Sequence, residues 1–124
     1  MFVREIEGSA REHRGGQTSY LLLGKGDFGS KDLAITWVEC GPNSQQELHS
    51  HPSAEQVYVI VRGRGDMIVG DERGSVGPGT MILIPPDTDH AIRNQSDETL
   101  VYVSATSPPF EPADVGRWRL PAAG

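Results

Sequence analysis

Glycine and proline interrupt this chain at short intervals, and this feature most constrains how it can fold. The 124 residues include 15 glycines and 9 prolines. Between them lie short apolar runs at a spacing of about 8–12 residues, and no long stretch places apolar residues at helical spacing. Such short strands are typical of an all-β sandwich or barrel. The lack of helical segments between them argues against a parallel α/β fold.

The predicted strands follow one another without a domain break. We predict strands over residues 33–40, 45–51, 57–61, 67–69, 81–84, 90–94 and 100–104, a short apolar run at 20–23 and an edge strand at 1–6. A chain of this length forms one domain with its own core. We therefore expect a single domain over 1–124 with terminal extensions at 1–17 and 107–124. Two aromatic residues of the tail, Phe110 and Trp118, are expected to cap the barrel or a dimer.

The charge balance excludes some classes of partner. The formal net charge is −6 and the sequence pI is about 5.1, so we expect no surface for nucleic acid or for an anionic membrane. The amino-terminal residues lack the apolar centre of a signal peptide, and no apolar run approaches the length of a membrane span. The single cysteine, Cys40, cannot form an intrachain disulfide. This favours a reducing compartment, and we predict a cytoplasmic location.

A pair of histidines is the first chemical signal. His49 and His51 are two residues apart in the predicted strand 45–51, so their side chains project from the same face. Two neighbouring imidazoles form half of a site for a divalent metal ion. Pro52 ends or bends the strand, and the following turn brings Glu55 or Gln56 to the start of the next strand.

Two motifs built around histidines resemble those of the cupin superfamily. The first comprises Gly41, His49, His51, Glu55 or Gln56, and Gly63; the second comprises Gly79, Pro85, Asp87, His90 and Asn94. Both lie within residues 41–94. The chain departs from the family pattern at Asp87, which occupies a glycine position, although aspartate tolerates the left-handed conformation better than most residues.

The resemblance implies a double-stranded β-helix, which is a small jelly-roll barrel, holding one divalent metal ion. His49, His51 and His90 would be ligands, which accounts for three of the four histidines. Zn, Fe, Mn, Ni and Cu all suit imidazole ligands, so the identity of the metal stays open. Small cupins are usually homodimers, and open sheet edges in so small a barrel agree with a second copy as partner.

The fourth ligand is either Gln56 or Glu55. The spacing to Gly63 favours Gln56, and so does strand alternation, because Gln56 would then face inward together with Tyr58, Ile60 and Arg62. If Glu55 faced inward instead, the other inward side chains of this strand would all be valines. Three neutral imidazoles and a neutral amide leave the full +2 charge on the metal, which favours Lewis-acid chemistry over the oxidised state of iron.

Several other residues are candidates for the site. Glu47 and Gln45 are predicted to share the inward face with the histidines, so that Glu47 could act as a general base. Tyr58 could donate a proton. The remaining candidates are two arginines that could bind an anionic substrate, Arg62 and Arg93, and the predicted barrel lining, Trp37, Met67, Met81, Ile92 and Tyr102. The alternative for each is ordinary surface exposure or core packing.

These features favour a mononuclear metal enzyme. The expected substrate is a small polar organic molecule, such as a sugar derivative or an aromatic or polyketide-like metabolite, and the expected chemistry is that of a lyase, isomerase or cyclase. An iron-dependent dioxygenase is one alternative. The other is a non-catalytic cupin that only binds a small molecule, because fold alone does not fix function.

Overall fold

The protein is described by a computed structural model over residues 1–109 and 118–121, and this part of the chain is almost entirely β-structure. The strands are β1 (Ala10–Arg14), β2 (Gln17–Leu23), β3 (Ala34–Cys40), β4 (Glu55–Arg62), β5 (Gly65–Val69), β6 (Glu72–Val76), β7 (Met81–Ile84), β8 (His90–Arg93) and β9 (Leu100–Ser107). Two short 3-10 turns cover Ile6–Gly8 and Asp27–Gly29. The predicted all-β class is confirmed. No helix within the described residues is long and apolar enough to cross a membrane.

The strands form two antiparallel sheets. The larger sheet has the order β1-β2-β3-β9-β4-β7, and the smaller has the order β6-β5-β8. Strand β9 lies between β3 and β4, so that residues far apart in the chain pair in the large sheet. The two sheets enclose the core, as in the predicted jelly-roll barrel.

Alternation along the central strands decides what faces the core. In β4 the residues Gln56, Tyr58 and Ile60 are buried, as the strand pattern predicts, whereas Arg62 is exposed beyond a register shift at the end of the strand. The buried apolar cluster is formed by Val38, Cys40, Tyr58, Ile60, Met67, Ile84, Ile92, Leu100 and Tyr102. Three of its members, Val38, Tyr58 and Tyr102, also line a cavity.

Two predicted barrel-lining residues lie on the outer face instead. In β3 the buried residues are Ala34, Thr36, Val38 and Cys40, so Trp37 points away from the core. Met81 is 59% exposed. These predictions were wrong because the alternation of β3 and β7 was assigned to the opposite face, whereas Met67, Ile92 and Tyr102 are buried as expected.

Two predicted strands differ from the structure. Residues 1–6 form no strand, and the first strand, β1, lies in a polar stretch for which the sequence predicted no strand. β1 pairs with β2 through the backbone, which requires no apolar alternation. Residues 45–51 also form no continuous strand, because this segment makes only two isolated bridges, Gln45 with Arg93 and His49 with His90.

Candidate metal centre

Three histidine side chains from two distant parts of the chain meet at one end of the barrel. The ring centroids of His49 and His90 are 4.2 Å apart, and His51 lies 5.2 Å and 5.5 Å from them. One nitrogen of each ring lies within 4.8 Å of the others. His49, His51 and His90, called the histidine cluster below, are therefore positioned to hold a single metal ion.

Backbone hydrogen bonds bring the two parts of the chain together. The His49 amide donates to the His90 carbonyl at 3.1 Å, and the His90 amide donates to the His49 carbonyl at 2.8 Å. The Asp87 amide donates to the His51 carbonyl at 2.8 Å. Asp87 has a left-handed backbone with φ of 55°, as expected for the residue that replaces a motif glycine. These contacts fix the histidine backbones before any metal binds.

Carbonyl groups set the tautomer of two of these rings. Nδ1 of His49 lies 2.8 Å from the Glu47 carbonyl oxygen, and Nδ1 of His90 lies 2.9 Å from that of Thr88. A carbonyl can only accept, so each Nδ1 carries the proton and each neutral ring keeps a lone pair on Nε2. The Nε2 atom of His90 is buried without a hydrogen-bond partner among the described residues. Burial lowers the pKa of His90 to about 4, so this ring is neutral at pH 7 and suited to bind a metal.

The two alternatives for a fourth ligand have different environments. Gln56 is buried and lines the cavity, and its amide nitrogen donates to Ser104 Oγ at 3.0 Å and to Thr106 Oγ1 at 3.2 Å. These bonds leave Oε1 as the free acceptor end, which is buried and has no partner among the described residues. Glu55 is exposed and does not line the cavity. An unpaired buried oxygen is costly unless a further group binds it.

Two members of the histidine cluster, His49 and His51, line a cavity of about 630 Å³. Its wall includes hydroxyl and amide groups from β2, β3, β4 and β9, together with parts of β1 and the segment around residues 45–52. The described lining residues are Glu12, Arg14, Gly15, Gln17, Ser19, Thr36, Val38, Gln45, Gln46, Glu47, His49, Ser50, His51, Pro52, Gln56, Tyr58, Tyr102, Ser104 and Trp118. A cavity of this size accommodates a small metabolite.

Two stacked tyrosines form the floor of this cavity. The rings of Tyr58 and Tyr102 are 4.4 Å apart, and the Gln46 amide nitrogen lies 3.4 Å from the Tyr102 hydroxyl. Tyr58 also lies edge-on to His90, with 6.1 Å between ring centroids. Burial raises the pKa of Tyr58 to about 12, so its hydroxyl keeps its proton at neutral pH. Tyr58 thus holds a protonated hydroxyl in the cavity wall, while its ring adjoins that of His90.

The other sequence candidates are less central. Glu47 and Gln45 are exposed and line the cavity, and the backbone carbonyl of Glu47 accepts a hydrogen bond from Nδ1 of His49. Arg62 and Arg93 do not line the cavity. Trp118 does line it, whereas Phe110 lies outside the described residues. Glu47 and Gln45 thus line the same cavity as His49 and His51, and the role of Glu47 as a general base stays a prediction.

Three polar residues of the site are missing from the sequence candidates. Gln46 reaches Tyr102, while Ser104 and Thr106 orient the Gln56 amide. The alternation of β9 carries a signal for the latter two, since both occupy buried positions of a strand that pairs with β4. Gln46 carries no comparable signal, because the segment around it is not a regular strand.

A family model agrees with this fold and site. The model for the cupin domain matches residues 36–106, which is more than half of the chain. The chain therefore belongs to the cupin family.

Curated relatives match parts of the chain. An uncharacterized protein of Methanocaldococcus jannaschii is 37% identical over 84 residues, which are 68% of this chain and 66% of that protein. A 1-methylthio-D-xylulose 5-phosphate methylsulfurylase of Rhodospirillum rubrum is 32% identical over 78% of this chain and 58% of its own length. A glucose-6-phosphate isomerase of Thermococcus kodakarensis is 27% identical over 56% of this chain and 36% of its own length. Each match thus spans less than two thirds of the relative.

Solved structures share the fold at low sequence identity. KdgF from Halomonas sp. superposes with a TM-score of 0.76 at 17% identity and covers 91% of this chain and 97% of that one. An RmlC-like cupin from Shewanella frigidimarina also gives 0.76, at 19% identity, over 90% and 94% of the two chains. This likeness confirms the jelly-roll fold.

Proposed function

We propose that this protein is a mononuclear metal enzyme that acts on a small polar organic molecule by lyase, isomerase or cyclase chemistry. One observation carries the proposal. His49, His51 and Gln56, whose Oε1 has no partner among the described residues, line one cavity, and His90 completes the histidine cluster beside them. Three imidazole nitrogens and one amide oxygen form a donor set that suits several first-row divalent ions.

The charge of this donor set supports non-redox chemistry. Neutral imidazoles and a neutral amide do not offset the +2 charge of a bound ion, which would supply Lewis-acid polarisation of a substrate oxygen. The protein's own contribution is positioning: Thr88 and Glu47 carbonyls orient two rings, and Ser104 and Thr106 orient the Gln56 amide. Tyr58 would donate a proton from the cavity floor, and Glu47 at the mouth is a weaker candidate for a base.

A second copy of this chain is the proposed macromolecular partner. The outer face of β4 and β7 carries the exposed apolar side chains of Val59, Val61, Met81 and Leu83. Val59 pairs with Met81, so these side chains adjoin in one sheet. Adjacent exposed apolar side chains of this kind are typical of an interface, and a two-fold axis would pair the patch with itself.

The reduced Cys40 thiol agrees with the predicted cytoplasmic location.

Metal titration of two matched variants tests the proposed ligand set. We expect Gln56→Leu to weaken the binding of Zn²⁺ by about tenfold or more, because it removes an oxygen that faces the ion. Glu55→Leu, at the neighbouring exposed position, should leave the affinity unchanged. The ligand assignment is wrong if Glu55→Leu strips the metal while Gln56→Leu retains it. Turnover of a substrate, as opposed to thermal stabilisation alone, separates an enzyme from a binding cupin.

A further inference from the structure

The charged groups around the cavity are few and nearly cancel. Among the described lining residues they are Glu12, Arg14 and Glu47. The Arg14 guanidinium lies 2.9 Å from the Glu12 carboxylate, and its side chain is 60% exposed. One paired, solvated arginine beside two carboxylates is a poor site for a phosphate dianion, which is usually bound by several cationic or N–H donors.

The backbone offers no substitute for missing cations. Phosphate groups are also bound at helix N-termini, where unpaired amides point toward the anion. The two 3-10 turns in the described part of the chain, Ile6–Gly8 and Asp27–Gly29, do not line this cavity. Among the described residues, the cavity wall therefore carries one paired arginine and no helix N-terminus for holding a phosphate.

Uncharged hydrogen-bonding groups occupy part of the wall. Gln17 and Ser19 on β2 and Thr36 on β3 face the cavity. Thr36 is buried, and neither the Ser19 nor the Thr36 hydroxyl bonds to another side chain among the described residues. Hydroxyl and amide groups both donate and accept, so that they suit the hydroxyls of a polyol. Buried polar groups of this kind also discriminate strongly between ligands that do and do not pair with them.

We infer that the cavity takes an unphosphorylated polyhydroxylated molecule, with one end at the histidine cluster and its hydroxyls along Gln17, Ser19 and Thr36. This inference rests on the proposed function. It separates this chain from the two relatives whose names contain sugar phosphates. The discrimination concerns the end of the substrate that lies along Ser19, where a phosphate would meet the carboxylate of Glu12 and the Arg14 guanidinium paired with it.

Calorimetric binding to the metal-loaded protein tests the inference with matched probes. The pairs are glucose with glucose 6-phosphate, xylulose with xylulose 5-phosphate, and gluconate with 6-phosphogluconate. We expect the unphosphorylated member of at least one pair to bind, and to bind several-fold more tightly than its ester. Tighter binding of any ester, or binding by none of the unphosphorylated probes, overturns the inference. Failure of the proposed function is distinct, since it would appear as failure to take up metal.

Variants of the wall provide a second readout. Thr36→Val, which keeps the side-chain shape, and Ser19→Ala should each weaken polyol binding roughly threefold to tenfold, the worth of one hydrogen bond. Ser75→Ala on β6, which does not line the cavity, is the control. Glu12→Gln should improve the binding of the phosphate esters, because the Arg14 guanidinium would no longer be paired with a carboxylate. Unchanged polyol binding in both wall variants would contradict the placement of the hydroxyls.

Discussion

At the scale of single residues, the backbone two positions earlier in the chain orients two of the metal-site histidines. The Glu47 carbonyl receives the Nδ1 proton of His49, and the Thr88 carbonyl receives that of His90. This arrangement leaves the Nε2 atom of each ring to bind a metal. No carboxylate is needed to orient either ring. Substitution of Glu47 would therefore change the charge at the cavity mouth without removing the acceptor that orients His49.

Asn94 acts as a structural anchor, in line with its turn position in the cupin motif. Its amide nitrogen is within 3.1 Å of the carbonyl oxygens of Cys40, Gly41 and Glu98, and its oxygen accepts from Ser96. The side chain is buried. It therefore joins the end of β3 to the loop that follows β8.

We predict that Asn94→Ala lowers the free energy of unfolding by about 2–4 kcal/mol, because it removes a buried side chain that donates to three backbone carbonyls and accepts from Ser96. Urea denaturation of the metal-free protein measures this change. The neighbouring Gln95→Ala, at an exposed position, should differ from the parent by less than about 0.5 kcal/mol. Equal stability of the two variants would show that Asn94 is not an anchor.

At the scale of strands and loops, regular alternation could be predicted from the sequence, and irregular segments could not. In β4 the inward positions of Gln56 and Tyr58 follow from period two, because the strand is continuous. The segment 45–51 bonds to its neighbour only at intervals, and both Glu47 and the adjacent Gln46 line the cavity, which strict strand alternation does not predict. The convergence of His90 on His49 was predictable only through the motif resemblance, because the bridge joins residues 41 positions apart in the chain.

The turn after β4 depends on a glycine. Gly63 has φ of +78°, and a Cβ at this position would lie 2.6 Å from the Thr99 carbonyl oxygen. Backbone atoms cannot yield as a flexible side chain can, so Gly63→Ala should lower the free energy of unfolding by about 2 kcal/mol or more. Gly74→Ala in β6, where a Cβ meets nothing within 4 Å and φ is not positive, is the matched control. Chemical denaturation should show a loss for the first variant only, and a similar loss for both would contradict this account.

At the scale of the whole molecule, the two faces of the large sheet have different roles. The inner face supplies the cavity and the core, while the outer face of β4 and β7 presents aliphatic side chains to solvent. The outer residues resemble core residues in composition, which is why Met81 was predicted to be inside. An exposed apolar patch of this kind lowers solubility unless a second copy covers it.

We predict that Val59→Glu weakens self-association, because an isologous interface would contain the new charge twice. The dimer dissociation constant should rise at least about 30-fold, the effect of disrupting an interface hot spot. Analytical ultracentrifugation measures this change. Leu120→Glu, an exposed apolar position outside β4 and β7, should leave the constant unchanged. A parent protein that sediments as a monomer at all concentrations would refute the proposed interface.

The central claim is that one metal ion is held by imidazoles from two distant parts of the chain. A crystal structure of the Zn²⁺-loaded protein, with the ion located by anomalous scattering, tests it most directly. We predict one strong peak bonded to Nε2 of His49, His51 and His90 at about 2.0–2.1 Å. A peak elsewhere, or a loaded crystal in which the His90 ring does not contact the ion, would contradict the account.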